Sequence, residues 1–193
     1  MAGLDWHKAP IDLREQLSFT RNQVMELDRR LWKDPRIEGC ALLSTCNRTE
    51  LYLSCGDGAD VDAGALLCAA AGVDYAPFAD SFLSCRGREA ARRLMEVAGG
   101  LRSQIWGEDQ IVTQVKGAIQ TAREAGTADS VLETLFRNAA AAGKEMKSKV
   151  RFVGVPRSAA QSGVEKLNAH LGGLAGKQAL VIGNGEMGRL AAD

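Results

Sequence analysis

The chain has 193 residues, 46% of them hydrophobic and 25% charged, an ordinary globular composition with length enough for one packed domain and part of a second. Lysine plus arginine equals aspartate plus glutamate at 24 each, so no net field draws the whole protein onto DNA or a membrane, and any RNA contact has to use a local patch. The apolar runs are short and the opening MAGLDWHKAP lacks the basic and apolar blocks of a signal peptide, from which we expect a cytoplasmic protein with no membrane partner.

In chain order, residues 2–5 read as an opening strand and residues 11–18 as a short helix after Pro10. Thr20 and Gln23 spell a capping box, with Phe19 placed to staple against Val24. Val24, Leu27 and Leu31 then hold one helical face until Pro35. Residues 40–45 and 50–55 read as adjacent strands joined through Cys46, Asn47, Arg48 and Thr49, with Leu51, Leu53 and Cys55 on one side and Glu50, Tyr52 and Ser54 on the other. Residues 61–71 suggest a helix and residues 81–85 a third strand.

The pattern then turns helical. Ala91, Leu94, Met95 and Ala98 keep helical spacing, as do Ile111, Val115, Ala118, Ile119 and Ala122. Ser130 and Glu133 spell a second capping box ahead of Leu132, Leu135, Phe136 and Ala139. A further helix is expected over residues 158–171, a linker at Gly172, Gly173 and Gly176, and then a strand over residues 178–182 that runs into Gly183-Asn184-Gly185-Glu186-Met187-Gly188. In that context a G-x-G-x-x-G turn lets a dinucleotide pyrophosphate approach a helix N-terminus. The residue that selects between cofactors belongs about 20 positions further on. Since the sequence stops five residues after Gly188, a truncated nucleotide-binding domain is expected here.

The chain contains five cysteines, no C-x-x-C, and only His7 and His170 as imidazoles, a set that speaks against a zinc site or a disulfide framework. Most of these thiols should be small buried hydrophobes. Cys46 differs, because it stands at a strand end beside a polar loop and two residues from Arg48. A free thiol near pKa 8.5 is only a few per cent ionised at neutral pH, and a neighbouring cation raises the nucleophilic thiolate fraction. Read without further context, a cysteine at the end of a buried strand is more often structural, and Arg48 with Glu50 a surface ion pair of little energetic worth.

Three segments in order, LLSTCNRTELYL, VAGGLRSQIWGEDQIVTQVKGAIQTAREAG and LAGKQALVIGNGEMGRLAA, resemble glutamyl-tRNA reductases, and the similarity begins at GLDWHKAPIDLREQLSF. The resemblance implies an α/β fold: a small α/β catalytic domain (residues 1–156), a helical connecting segment with a glycine-rich linker (157–176), and the first strand–turn–helix of a truncated Rossmann domain (177–193). It also implies NADPH-dependent reduction of glutamyl-tRNA to glutamate-1-semialdehyde, the first step of five-carbon tetrapyrrole synthesis. Cys46 matches the family's nucleophile, which takes the glutamyl group as a thioester. Thr45, Asn47 and Arg48 match the loop holding that group, with Arg48 suited to a carboxylate. Ser103, Glu108, Asp109, Gln110 and Gln114 match further substrate contacts, and residues 183–188 match the cofactor turn. A homodimer formed through a C-terminal domain and an aminomutase acting downstream are the partners it implies.

The sequence also departs from the family pattern. Arg93 stands at a histidine important for activity, and an arginine stays charged and cannot shuttle a proton near neutral pH. Arg102 stands at the aspartate of GLDS, Trp6 at the histidine of GLNHKTAP, and Asp109 at the proline of GEPQ. KSKVRFVGVPRSAAQSG matches only loosely. A second reading follows: a non-catalytic or regulatory relative that binds glutamyl-tRNA or a partner reductase. Retained Cys46 speaks for the enzyme, and Arg93 for the relative.

Overall fold

A computed structural model describes residues 1–56, 58–108, 110–150, 159–183 and 185–192. Its centre is a four-stranded sheet in the order β2-β3-β1-β4, built from β1 (Ala2–Asp5), β2 (Ile37–Ser44), β3 (Arg48–Cys55) and β4 (Leu83–Ser84). Every pairing is antiparallel, with Gly3 opposite Glu50 and Leu42 opposite Leu51. The expected third strand over residues 81–85 forms only at Leu83–Ser84, because residues 76–81 close into a 3-10 turn first.

Helices cover both faces. On one side Leu4, Leu42 and Leu51 pack with Val24, Leu27 and Leu31 of α2 (Arg21–Leu31) and Leu67 of α3 (Ala63–Ala71). On the other, Ala41, Leu43 and Tyr52 pack with α4 (Gly87–Ala98), α5 (Gln110–Ala125) and α6 (Ser130–Lys149) through Leu94, Val115 and Phe136. Successive strand residues therefore enter two different cores. The side of β3 carrying Glu50 and Tyr52 lies under helices, so the surface placement open to Arg48 and Glu50 is corrected: both are buried.

Local chemistry explains most element ends. The short α1 (Ile11–Gln16) follows Pro10, whose fixed φ suits a helix start. The Thr20–Gln23 box forms, with Thr20 N donating to Gln23 Oε1 at 2.8 Å. The box expected at Ser130 and Glu133 does not. Asp129 is the cap, accepting from Leu132 N at 2.9 Å, and the Glu133 carboxylate bridges to Arg123 instead. Thr127 fixes this connection, since its Oγ1 donates to Cys40 O while Cys40 N donates to Thr127 O. No helix among the described residues is long and apolar enough to cross a membrane.

After α6 come α7 (Ala159–Leu171) and α8 (Glu186–Ala192), which pack against each other. The strand expected over residues 178–182 is absent: the segment is irregular, with Leu180 and Ile182 exposed at 86% and 90%. No neighbouring strand among the described residues offers it hydrogen bonds or an apolar face, and a lone strand has neither source of stability.

Candidate active site

The β2–β3 connection is only Thr45, Cys46 and Asn47. Thr45 shapes it, because its Oγ1 accepts from both Asn47 N and Arg48 N at 3.2 Å while its own N donates to Arg48 O at 2.8 Å. This side-chain-to-backbone closure leaves Cys46 at the tip. Cys46 is the exposed cysteine, whereas Cys40 and Cys68 are buried and Cys55 and Cys85 half-buried. Burial pushes the Cys40 thiol up to about 12 and the Cys68 thiol to about 11. Among the described residues, the Cys46 thiol makes no hydrogen bond.

Directly behind this turn lies a buried ionic cluster. Arg48, 2% exposed, donates to Glu50 Oε1 at 3.0 Å and to the Arg102 carbonyl. Arg93 of α4 donates to the same Glu50 oxygen through Nη2 at 2.7 Å and Nε at 3.2 Å, and to Asp5 Oδ2 at 2.8 Å. The Tyr52 hydroxyl donates to Glu50 Oε2 at 2.6 Å. Burial alone would raise the Asp5 carboxyl, but Arg93, the His7 amide and Arg48 together reverse this and hold it below the usual range. Burial, then Glu50, drives the Tyr52 phenol well above its ordinary value. Gly3 makes room for Glu50, since a Cβ there would lie 2.6 Å from Glu50 Cγ.

The cluster ties the cysteine turn to the segment after α4. Gly100 and Gly107 close that segment into a loop, with Gly107 N donating to Gly100 O at 3.2 Å. A Cβ on Gly100 would meet Gly107 Cα at 2.8 Å, and φ is near +76° at both residues: 76° at Gly100 and 75° at Gly107, so only glycine suits this contact. The Arg102 carbonyl accepts from Arg48 and from Trp6 Nε1 at 3.3 Å, and Trp6 N donates to Asn47 O at 3.0 Å. The Arg102 guanidinium turns away to Glu96 at 2.8 Å.

Thr45, Cys46, Asn47 and Arg48 therefore meet the 100–108 loop. Ser103 is buried in that loop. Glu108 is half-buried; burial raises its carboxyl, opposed by nearby Arg48 and Lys147, and Lys147 Nζ donates to its backbone oxygen at 2.6 Å. Gln110 opens α5, half-buried, and Gln114 borders a cavity of about 210 Å³ beside Ser44 and Gly117. Asp109 and Asn184 lie outside the described residues. Arg48 was expected to grip a substrate carboxylate and Arg93 to stand free at a catalytic position. Both guanidiniums instead face carboxylates of the chain itself.

Sequence reasoning missed Asp5, Tyr52 and Lys147. The first two carried a usable signal, being polar residues in step with the inward positions Gly3 and Glu50, but that signal needs the helical cover to be known. The glycine turn stands apart. Gly183 has φ of 116°, and a Cβ on Gly188 would lie 2.7 Å from Gly183 O and 3.4 Å from Val181.

Residues 2–150 match the family described as glutamyl-tRNAGlu reductase, N-terminal domain. The chain belongs to that family. It is 44% identical over 192 residues to a glutamyl-tRNA reductase of Acetivibrio thermocellus, covering 100% of this chain and 57% of the relative. It is 42% identical over 190 residues to a probable multifunctional sirohaem biosynthesis protein of Ruminiclostridium josui, covering 98% of this chain and 37% of that one. Among solved structures, glutamyl-tRNA reductase from Methanopyrus kandleri is similar with a TM-score of 0.69 and 32% identity, over 99% of this chain and 44% of that chain. The chain thus spans between about a third and little more than half the length of these curated relatives.

Proposed function

We propose that this chain carries the acyl-transfer site of a glutamyl-tRNA reductase serving tetrapyrrole synthesis in the cytoplasm, with Cys46 as nucleophile. The observation that carries this reading is the pairing of family membership with geometry: the cysteine of the STCNRTE segment is the exposed one, held at the tip of a turn that Thr45 closes. The Cys46 thiol loses its proton and its sulfur attacks the ester carbonyl joining glutamate to the tRNA 3′ end. A C–S bond forms, the C–O bond breaks, and the ribose oxygen leaves with a proton. Glu108, half-buried on the adjoining loop, serves as a further polar contact for the substrate, while the exposed thiol gives its proton to solvent and the leaving oxygen takes one from solvent.

Asn47, Ser103, Gln110 and Gln114 supply neutral polar groups around the turn for the glutamyl group. Arg48 and Arg93 act one layer behind, positioning the turn and the 100–108 loop. Arg93 serves there as an internal counter-ion and relays no proton.

In this reading residues 1–156 form the catalytic unit, residues 157–176 connect, and residues 177–193 begin a dinucleotide-binding domain. Gly183, Asn184, Gly185, Glu186, Met187 and Gly188 would hold the pyrophosphate of NADPH. The fit is confined to the turn, where Gly183 takes a left-handed φ and Gly188 admits close backbone approach. NADPH supplies hydride to such a domain when bound. Dimerisation through a C-terminal domain and passage of the aldehyde to an aminomutase belong to the same proposal.

The test is to incubate the chain with glutamyl-tRNA and NADPH, then follow a glutamyl adduct on Cys46 by mass spectrometry and glutamate-1-semialdehyde separately. An adduct that is lost in Cys46→Ser is expected, with no aldehyde, since residues 178–182 form no strand behind the turn. Failure to find the adduct on Cys46 would reject the assignment.

A further inference from the structure

A groove of about 670 Å³ runs between α5 and α6, outside the cluster behind Cys46. Its floor is apolar, with Ile119 and Phe136, and its walls carry Lys116, Arg123, Arg137 and Lys144. The carboxylates nearby are already engaged: Glu133 with Arg123, Glu124 with Arg21, and Glu145 with Lys149. Lys116 and Lys144 have no carboxylate within ion-pair distance among the described residues, and they lie against each other. Lys144 holds the Lys116 ammonium below its ordinary pKa. Two like charges brought together on exposed helix faces, with no internal counter-ion, form a place where an anion lowers the energy of both.

The groove also adjoins a second, smaller cavity. Gly117 borders both it and the smaller cavity that reaches Ser44 and Gln114, two residues from Cys46 on β2. α5 has 16 residues, about 24 Å at 1.5 Å per residue, a length that spans several phosphates of a nucleic-acid strand.

We propose that the α5–α6 groove is a phosphate track for the tRNA, in which Lys116 and Lys144 grip the RNA backbone while the esterified 3′ end lies at Cys46. This inference rests on the acyl-transfer reading above. An acidic protein segment fits the track less well, because Lys116 and Lys144 are point-like ammonium groups over a narrow apolar floor, a spacing suited to successive phosphates.

The experiment measures binding of fluorescently labelled, deacylated glutamate-accepting tRNA to the 193-residue chain by anisotropy between about 0.05 and 0.5 M salt. Each phosphate contact contributes about 0.7–0.9 to the slope of log affinity against log salt. Lys116→Gln with Lys144→Gln should reduce that slope by about 1.5, so that between about 0.05 and 0.5 M salt the wild-type affinity falls roughly 30-fold further than that of the double variant. Lys116→Arg with Lys144→Arg should keep the wild-type slope, and competing inorganic phosphate should not displace the tRNA at millimolar concentration. An unchanged slope in the glutamine pair, or a loss shared by the arginine pair, overturns the track. If the Cys46 adduct still forms in that case, the acyl-transfer reading survives; if wild type neither binds tRNA nor forms the adduct, both fall.

Discussion

Replacing Glu50 by alanine tests whether the buried cluster organises this site. Four hydrogen bonds converge on its carboxylate, from Arg48, from Arg93 twice and from Tyr52. The cluster is neutral as built, with Asp5 and Glu50 balancing Arg48 and Arg93, all of them buried. Without Glu50 it carries one excess positive charge away from water. Removing one partner of a buried ion pair costs about 3–5 kcal/mol, against a total stability of about 5–15 kcal/mol for a domain. With a urea m-value of about 2 kcal/mol/M, the unfolding midpoint should fall by about 2 M.

Urea unfolding followed by tryptophan fluorescence reads the shift directly. Glu50→Gln should move the midpoint in the same direction, since it keeps the shape and removes the charge. Adding Arg93→Met to Glu50→Gln restores neutrality and should recover part of the loss, with a coupling energy of about 0.5–3 kcal/mol. A cost for Glu50→Ala below about 1 kcal/mol, the range of exposed pairs, would refute the cluster's structural role. The same cluster decides the outcome of Arg93→His: the shorter imidazole lacks the three donor contacts by which the guanidinium spans Asp5 and Glu50, so this variant should lose stability and gain nothing in Cys46 acylation.

Brief iodoacetamide treatment and peptide mapping should label Cys46 ahead of Cys40, Cys55, Cys68 and Cys85, and equal labelling would remove the case for an accessible nucleophile. Asp28 is buried with no charged partner among the described residues, and burial, only weakly opposed by the Leu42 amide, pushes its carboxyl up to about 8. A folded-state pKa raised above the unfolded value means stability that is full below about pH 4 and lost as pH rises to about 8; Asp28→Asn should therefore gain on wild type by about 1.4 kcal/mol per pH unit in that window, and parallel curves at pH 5 and pH 8 would contradict it. Arg102→Ala should change stability by less than about 0.5 kcal/mol and leave Cys46 acylation intact, because the carbonyl makes the contacts to Arg48 and Trp6 while the side chain meets only Glu96; a large loss in either measurement would mean that the guanidinium itself holds the loop.

Much of this was legible where the signal is local. The Thr20–Gln23 box, the apolar spacing of α2 and α5, and the alternation in β3 each act within a few residues, and each forms as read. Failures came where the outcome depends on distant partners. Ser130 and Asp129 are both competent caps, and the choice follows from Thr127 anchoring the preceding turn to Cys40. Residues 178–182 have a strand's composition but no neighbouring strand among the described residues. Arg48 read as a surface or substrate-facing charge because its burial depends on α4 covering the sheet and on a distant loop bringing up the Arg102 carbonyl as an acceptor, while Glu50 on the same strand is its counter-ion.

The two arginines that depart from the family pattern have opposite consequences. At position 102 the structure uses the backbone, so the side chain is free to vary and finds an exposed partner in Glu96. At position 93 it uses the side chain, and the added charge is answered by Asp5 and Glu50 inside the fold. The cations nearest the thiol are thereby neutralised internally and make little field at the surface. On the proposed reading, the attraction of this chain with no net charge for tRNA is placed elsewhere. Lys116 on α5 and Lys144 on α6 are exposed and without carboxylate partners among the described residues. The proposal divides recognition and chemistry between the α5–α6 groove and the β2–β3 turn, and the salt dependence of tRNA binding should follow the lysines while acylation follows Cys46.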